Sequence, residues 1–314
     1  MTGRALAFVF PGQGSQSVGM GRDLSAQFAA ARQVFAEADD ALGFSLSKLC
    51  FGGPEEDLRL TVNTQPAIVA ASVAALRALE GESAVRPSYV AGHSLGEYSA
   101  LVAAGALTLR DALRVVRERG RLMQEAVASG EGGMAAIFGL ALEEVERVCA
   151  LAAQGEVVAP ANLNGGGQIV VAGSAGAVGR AVALARGRGA KRAVELAVSA
   201  PFHCPLMAPA AEGLAAVLET VEVGGLRVGV VTNVEARVNL DAARVKEILV
   251  RQVTSPVRWE ESVRELSRLG CTDMLEVGPG RVLSGLVKRI APEVECRAVG
   301  DPRTVREAAA AFAA

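Results

Sequence analysis

Ser88-Tyr89-Val90-Ala91-Gly92-His93-Ser94-Leu95-Gly96-Glu97-Tyr98 is the stretch on which the reading of this chain turns. Residues 88–92 form a short apolar run bounded by a proline, the pattern of a buried strand, and 95–104 continue as an apolar helix. Between them, Gly92-His93-Ser94-Leu95-Gly96 has the form Gly-x-Ser-x-Gly. In a chain with 35 glycines that pattern alone is weak. Its place between a strand and a helix is the stronger signal, because a nucleophile elbow requires that context. The sharp turn needs small residues where the backbone crowds, hence Gly92 and Gly96. It would set the Ser94 hydroxyl at a helix N-terminus, where free N–H groups can hold an oxyanion. A plain strand–helix turn that happens to contain serine is the alternative.

The same alternation extends on both sides. A strand at 5–10 runs into the glycine-rich loop Pro11-Gly12-Gln13-Gly14-Ser15-Gln16. Helical patterns follow at about 22–42 and 66–79, the latter with Thr64 as a candidate N-cap and Pro66 near the first turn, then at 95–104 and 109–128. This order predicts an α/β fold with a largely parallel sheet. The middle of the chain differs. Strand 134–139, helix 142–153, strand 157–162, the turn Gly165-Gly166-Gly167, strand 168–173, helix 175–188 and strand 190–196 form a βαββαβ series, the ferredoxin-like unit. Residues 129–197 therefore read as a small subdomain inserted into a discontinuous α/β domain, 1–128 and 198–314. Beyond it come a loop with Pro201, Pro205 and Pro209, a strand at 228–233, helices near 241–253 and 257–269, and a strand at 274–277. A helix to about 290 and a last strand–helix pair complete the chain.

Composition narrows the class. The 314 residues, half of them hydrophobic, suffice for one large domain or two unequal ones. Lys and Arg number 32 against 34 Asp and Glu, a net charge of −2 that offers no general attraction to nucleic acid or anionic lipid. The five cysteines are scattered and never spaced CxxC, so free thiols in a reducing cytoplasm are expected. The first apolar run is stopped by Pro11-Gly12, too short for a signal segment, and no 18-residue apolar window offers a membrane span. The expectation is a soluble cytoplasmic protein, a monomer by default.

Only two histidines are present, so a His-rich metal site is excluded and any imidazole base is His93 or His203. A serine hydroxyl attacks poorly unless a base takes its proton. Side chains of adjacent residues diverge in such a turn, which counts against His93. His203 lies in Ser199-Ala200-Pro201-Phe202-His203-Cys204-Pro205, a proline-stiffened loop of the kind that carries catalytic groups; a structural histidine is the alternative. Arg119 gives a sharper argument. At about 100° per residue, Arg110, Arg114, Arg117 and Arg121 share one helical stripe and Arg119 falls about 180° away. There it sits among Ala112, Val115, Val116, Leu122 and Met123. A buried guanidinium stranded in an apolar face costs about 3–5 kcal/mol, so it needs a partner, either an internal carboxylate or a ligand's. Arg suits the second because its planar fork grips a carboxylate bidentately. No dinucleotide fingerprint, Walker A loop or HExxH is present.

Taken together, Phe10-Pro11-Gly12-Gln13-Gly14-Ser15-Gln16, Gly92-His93-Ser94-Leu95-Gly96-Glu97-Tyr98, Arg119-Gly120, Met123-Gln124, Ala161-Asn162-Leu163-Asn164, Phe202-His203-Cys204-Pro205-Leu206-Met207, Gln252-Val253-Thr254-Ser255-Pro256-Val257 and Glu276-Val277-Gly278-Pro279-Gly280 resemble the malonyl-CoA:acyl carrier protein transacylases. The match runs in order from about residue 5 to 300. It implies a hydrolase-like parallel-sheet core with an inserted ferredoxin-like subdomain. It also implies that Ser94 becomes malonylated, that His203 is base and then acid, and that backbone N–H groups of Gln13 and Leu95 form the oxyanion hole. Arg119 would bind the malonyl carboxylate, and Gln252 would orient His203 through its backbone carbonyl. Asn162 lies at a family position near the site, and Phe202 before the histidine matches the malonyl-preferring pattern of related acyltransferases. Gly165-Gly166-Gly167 departs from the family, where Ser-Pro is more usual, and is expected to loosen a loop.

The activity so implied moves malonyl from coenzyme A to the phosphopantetheine thiol of acyl carrier protein by ping-pong kinetics, without metal or cofactor. Carrier proteins of this class are acidic, so Lys191-Arg192, Lys288-Arg289 and the arginine stripe of 109–128 are candidate docking patches. A serine thioesterase or esterase on the same elbow is the rival; it would leave Arg119 without a purpose. A non-catalytic binding module is the third reading, disfavoured by Ser94, His203 and Arg119 occurring together.

Overall fold

The computed structural model describes residues 5–198 and 200–312, so Ser199 of the His203 loop lies outside the described residues. Strand β1 (Ala5–Phe10) enters the glycine loop and is followed by α1 (Arg22–Gln27), α2 (Ala29–Leu42), α3 (Leu46–Gly52), α4 (Glu55–Arg59) and α5 (Thr61–Glu82). β2 (Tyr89–Gly92), α6 (Gly96–Ala104) and α7 (Leu109–Glu125) complete the first segment. The second comprises β3 (Gly132–Phe138), α8 (Leu142–Ala153), β4 (Val158–Gly165), β5 (Gln168–Ser174), α9 (Ala175–Gly187) and β6 (Arg192–Glu195). The third runs through α10 (Ala208–Glu219), β7 (Gly229–Val231), β8 (Val238–Asn239), α11 (Val245–Thr254), α12 (Trp259–Arg268), β9 (Cys271–Val277), α13 (Val282–Ile290), β10 (Glu295–Val299) and α14 (Pro302–Ala311).

The first and third segments share a six-stranded sheet of order β10-β9-β1-β2-β7-β8. It is parallel except for the short edge strand β8. β1 is apolar at every position because both its faces are covered, as parallel sheets require. Leu6, Phe8 and Phe10 pack into the layer that holds α5 and α7, whereas Ala7 and Val9 meet Trp259, Met274 and Leu286 on the other side. The middle segment forms its own antiparallel sheet, β4-β5-β3-β6, with α8 and α9 on one face. That strand order is the ferredoxin-like one expected from the βαββαβ series.

Several local expectations change. The 22–42 pattern is two helices, because Phe28 turns to extended φ/ψ and buries its ring. Thr64 is not an N-cap: α5 starts at Thr61, capped by the Leu60 backbone, and the Thr64 hydroxyl donates to the Leu58 carbonyl at 2.6 Å. Pro66 consequently lies inside the helix. The stretch after Pro205, read as loop, becomes α10, with Pro209 in the first turn where its missing N–H costs nothing. The glycine triplet is a packed turn, not a loose loop. Its residues have φ of 75°, 58° and 77°, and a Cβ at Gly165 or Gly166 would strike Ile290 or Arg289.

Candidate active site

The elbow forms because β2 and α6 meet with no room between them. A Cβ on Gly92 would lie 2.0 Å from the Gly96 backbone, and one on Gly96 would lie 2.2 Å from the Phe10 carbonyl oxygen. Glycine is therefore required at both positions. Ser94 adopts φ +52°, a left-handed conformation that a non-glycine residue holds only when its surroundings impose it. Leu95 then opens α6.

His203 comes from a loop 109 residues away and sets its Nε2 2.7 Å from Ser94 Oγ. Its own φ is +60°, and the loop is tied by the Cys204 thiol to the Pro201 carbonyl at 3.0 Å. The Nδ1–H of His203 donates to the backbone carbonyl of Gln252 at 2.9 Å, which leaves the Nε2 lone pair facing the serine. Burial, and then the Arg119 charge, push the His203 pKa down to about 3, so the imidazole is neutral at pH 7. His93 does not face the hydroxyl: its Nε2 is engaged by Asn164 Oδ1 at 2.8 Å and its ring lies against Trp259.

Arg119 is 2 % exposed on the inner face of α7, as its helical position demanded. Its guanidinium donates to Gln65 Oε1 at 2.8 Å, Gln252 Oε1 at 2.9 Å and Ser94 Oγ at 3.2 Å. Among the described residues it has no carboxylate in ion-pair range, and its buried Nε has no partner. Neutral amide oxygens solvate the charge, and Arg119 borders the cavity that Ser94 also lines. The Gln252 amide is itself held by Glu97, whose carboxylate accepts from Gln252 Nε2 at 2.7 Å. Burial pushes Glu97 up to about 7.

Ser94, Leu95, Arg119, His203, Gln13, Asn162 and Phe202 all line one cavity of about 680 Å³. Gln252 lies behind its wall, fully buried. Gln13 reaches the cavity because Gly12 packs against the His93 carbonyl, where a Cβ would come to 2.5 Å. Asn162 is brought in by β4, which pairs with the core through Leu163 N–H to Val257 O and Val257 N–H to Ala161 O. The sequence reading overlooked Gln65, Glu97 and Asn233. Glu97 carried a signal, a carboxylate on an apolar helix, which raises the same question as Arg119; Gln65 and Asn233 carried none.

The acyl transferase domain family matches residues 7–302. The chain is 50% identical over 301 residues to the malonyl CoA-acyl carrier protein transacylase of Bacillus subtilis, covering 96% of this chain and 95% of that one. It is 47% identical over 302 residues to that of Salmonella typhimurium, covering 96% and 98%. A Vibrio cholerae acyl carrier protein S-malonyltransferase superposes with TM-score 0.94 at 48% identity, covering 96% of this chain and 99% of that one. A malonyl-transacylase solved with a type II PKS acyl-carrier protein superposes with TM-score 0.96 at 48% identity, covering 98% and 99%. With the fold and nearly the whole length in agreement, the chain belongs to the acyl transferase domain family and, within it, to the malonyl CoA-acyl carrier protein transacylases.

Proposed function

We propose that this chain moves the malonyl group from coenzyme A to the phosphopantetheine thiol of an acyl carrier protein through a malonyl-Ser94 ester. The observation that carries the reading is Arg119: a buried guanidinium with, among the described residues, no carboxylate in ion-pair range, 3.2 Å from Ser94 Oγ in the same cavity. Such a charge is a built receptor for a carboxylate attached to the acyl group under attack. As His203 Nε2 takes the hydroxyl proton, Ser94 Oγ bonds to the thioester carbonyl carbon. The resulting oxyanion is met by the N–H groups of Gln13 and Leu95. The C–S bond then breaks, and His203 returns the proton to the departing thiolate. In the second half, the carrier thiol gives its proton to His203 and attacks the ester, and Ser94 leaves with that proton. Asn162 and Phe202 shape the acyl pocket, and Gln252 holds the His203 tautomer. No cofactor takes part.

We take 129–197 as a small subdomain set into the core of 1–128 and 198–314, and the protein as a cytoplasmic monomer. The carrier's docking surface follows from charge. The exposed residues Lys191 and Arg289 meet at the glycine turn, each beside a second exposed cation, Arg192 or Lys288: Arg289 packs over Gly166, Lys191 over Gly139, and Gly139 N–H donates to Gly167 O at 2.8 Å. The arginine stripe of α7 is already engaged, with Arg110 on Asp40, Arg114 on the Ala41 carbonyl, Arg117 over Phe44, and Arg121 on Glu118 and Glu125.

Intact-mass spectrometry after mixing with malonyl-CoA tests the reading. A malonyl adduct on Ser94 that is discharged by holo-carrier protein and persists in water is expected. Discharge by water at the same rate would make the protein a thioesterase, and no adduct would remove the enzyme reading altogether.

A further inference from the structure

The parallel register that pairs Ala91 with Val231 continues past both strand ends and brings Asn233 level with the elbow. Asn233 is fully buried. Its Oδ1 accepts the Ser94 N–H at 2.7 Å, and its Nδ2 donates to the Gly92 carbonyl at 2.6 Å. One amide thus spans the turn from the residue that ends β2 to the nucleophile itself. Because one partner is a backbone donor and the other a backbone acceptor, the amide has a single possible orientation.

We propose that Asn233 is the positioning residue for the nucleophile, a strap that holds Ser94 in its left-handed conformation by bonding both ends of the elbow. Two consequences follow. Ser94's own N–H is consumed by the strap, so the peptide that follows, Leu95 N–H at the start of α6, is the one aimed at the reacting carbonyl. The strap is also linked to the base. Glu97 accepts the Asn233 backbone N–H at 3.1 Å and Gln252 Nε2 at 2.7 Å, and the Gln252 carbonyl holds His203. Serine and histidine, which come from distant parts of the chain, are thereby kept in register by one chain of bonds through Asn233, Glu97 and Gln252. Asn233 touches no substrate atom and acts through Ser94, so its loss should slow acylation of every acyl group equally, unlike the loss of a carboxylate clamp.

The proposal rests on Ser94 being the acylated residue, and the test separates the two. Single-turnover acylation by malonyl-CoA and by acetyl-CoA is followed by mass spectrometry with peptide mapping, in wild type and Asn233→Ala. The expected result is a maximal rate lowered about tenfold or more for both acyl groups, with half-saturation concentrations close to wild type. Label at Ser94 arriving at the wild-type rate overturns the strap and spares the nucleophile; label elsewhere overturns the nucleophile. Asn233→Asp gives a second reading, and carries the test alone if the alanine variant does not fold. Only the protonated acid offers both a donor to Gly92 O and an acceptor for Ser94 N–H. The aspartate would be faced by Glu97 from α6 and by the Gln252 amide with His203 and Arg119 beyond it; Glu235, two residues on, acts on Glu97 and is paired with Arg244 and Arg251. Its rate relative to wild type should climb as the pH falls from about 8 to 5. A ratio that is flat with pH overturns the proposal.

Discussion

A guanidinium 2 % exposed, hydrogen-bonded to amide oxygens and a serine hydroxyl and, among the described residues, without an ion pair, is poised for a ligand's carboxylate. Removing it should separate acyl groups by their charge. Arg119→Ala is expected to weaken malonyl transfer by about 2–5 kcal/mol, at least tenfold, while acetyl transfer falls less or rises. Equal losses with both thioesters, measured as kcat/KM, would sink the clamp. The same variant should change the titration of His203. His203 is held at about 3 by burial first and by the Arg119 charge second. A histidine with a lowered pKa stays unprotonated as the pH falls through 6.5, so acetyl-CoA acylation by the wild type should show no acid limb near the ordinary histidine value. Without Arg119 the imidazolium loses a repelling neighbour, and the acid limb should move up toward neutrality. An acid limb that stays at the wild-type pH in the variant would contradict that coupling. At this scale the sequence was legible where residue type and periodicity conflicted, as at Arg119. It was silent on Asn233, since an asparagine after a strand is ordinary until a fold puts the elbow beside it.

Helix packing is where glycine separates a contact from a spacer. α5 and α7 approach so closely that a Cβ at Gly120 would lie 2.7 Å from the Thr61 carbonyl oxygen, whereas one at Gly81, near the end of α5, meets nothing within 4 Å. Gly120→Ala should therefore cost about 1–3 kcal/mol through forced displacement of the Arg119 helix. Gly81→Ala should be neutral or stabilise by at most about 1 kcal/mol, because it only removes backbone freedom. Thermal unfolding distinguishes them, and equal effects would contradict the close approach. Element boundaries were readable wherever the apolar pattern was unambiguous, as in the continuous apolar run of β1 and the helical period of α8. They failed at α5 and α10, where proline was read as a boundary. Tertiary packing set the start of α5, and Pro209 falls in the first turn of α10, where it is tolerated.

On the scale of the whole molecule, Lys191 and Arg289, from two distant stretches of sequence, meet at the turn where the small sheet meets α13, with the exposed Arg192 and Lys288 next to them in the chain. Among the described residues none of the four forms an ion pair, although most surface arginines in this chain do. Lys288→Glu with Arg289→Glu should raise the KM for carrier protein severalfold or more and leave that for malonyl-CoA unchanged, with the effect shrinking as salt is added. Arg121→Glu, on the internally paired stripe, is the control expected to leave both unchanged. An unaltered carrier KM in the double reversal would remove this patch. The sequence by itself determined the α/β alternation, the βαββαβ insertion, the elbow and the inward-facing arginine, because each is a local pattern of residue types at fixed spacing. Only the tertiary structure decided that His203, rather than His93, meets the serine, that among the described residues no carboxylate comes within ion-pair range of Arg119, and that hydrogen bonds through Asn233, Glu97 and Gln252 link the elbow to His203. Those facts depend on which distant strands and loops lie side by side, a property of sheet order and packing that no stretch of sequence carries alone.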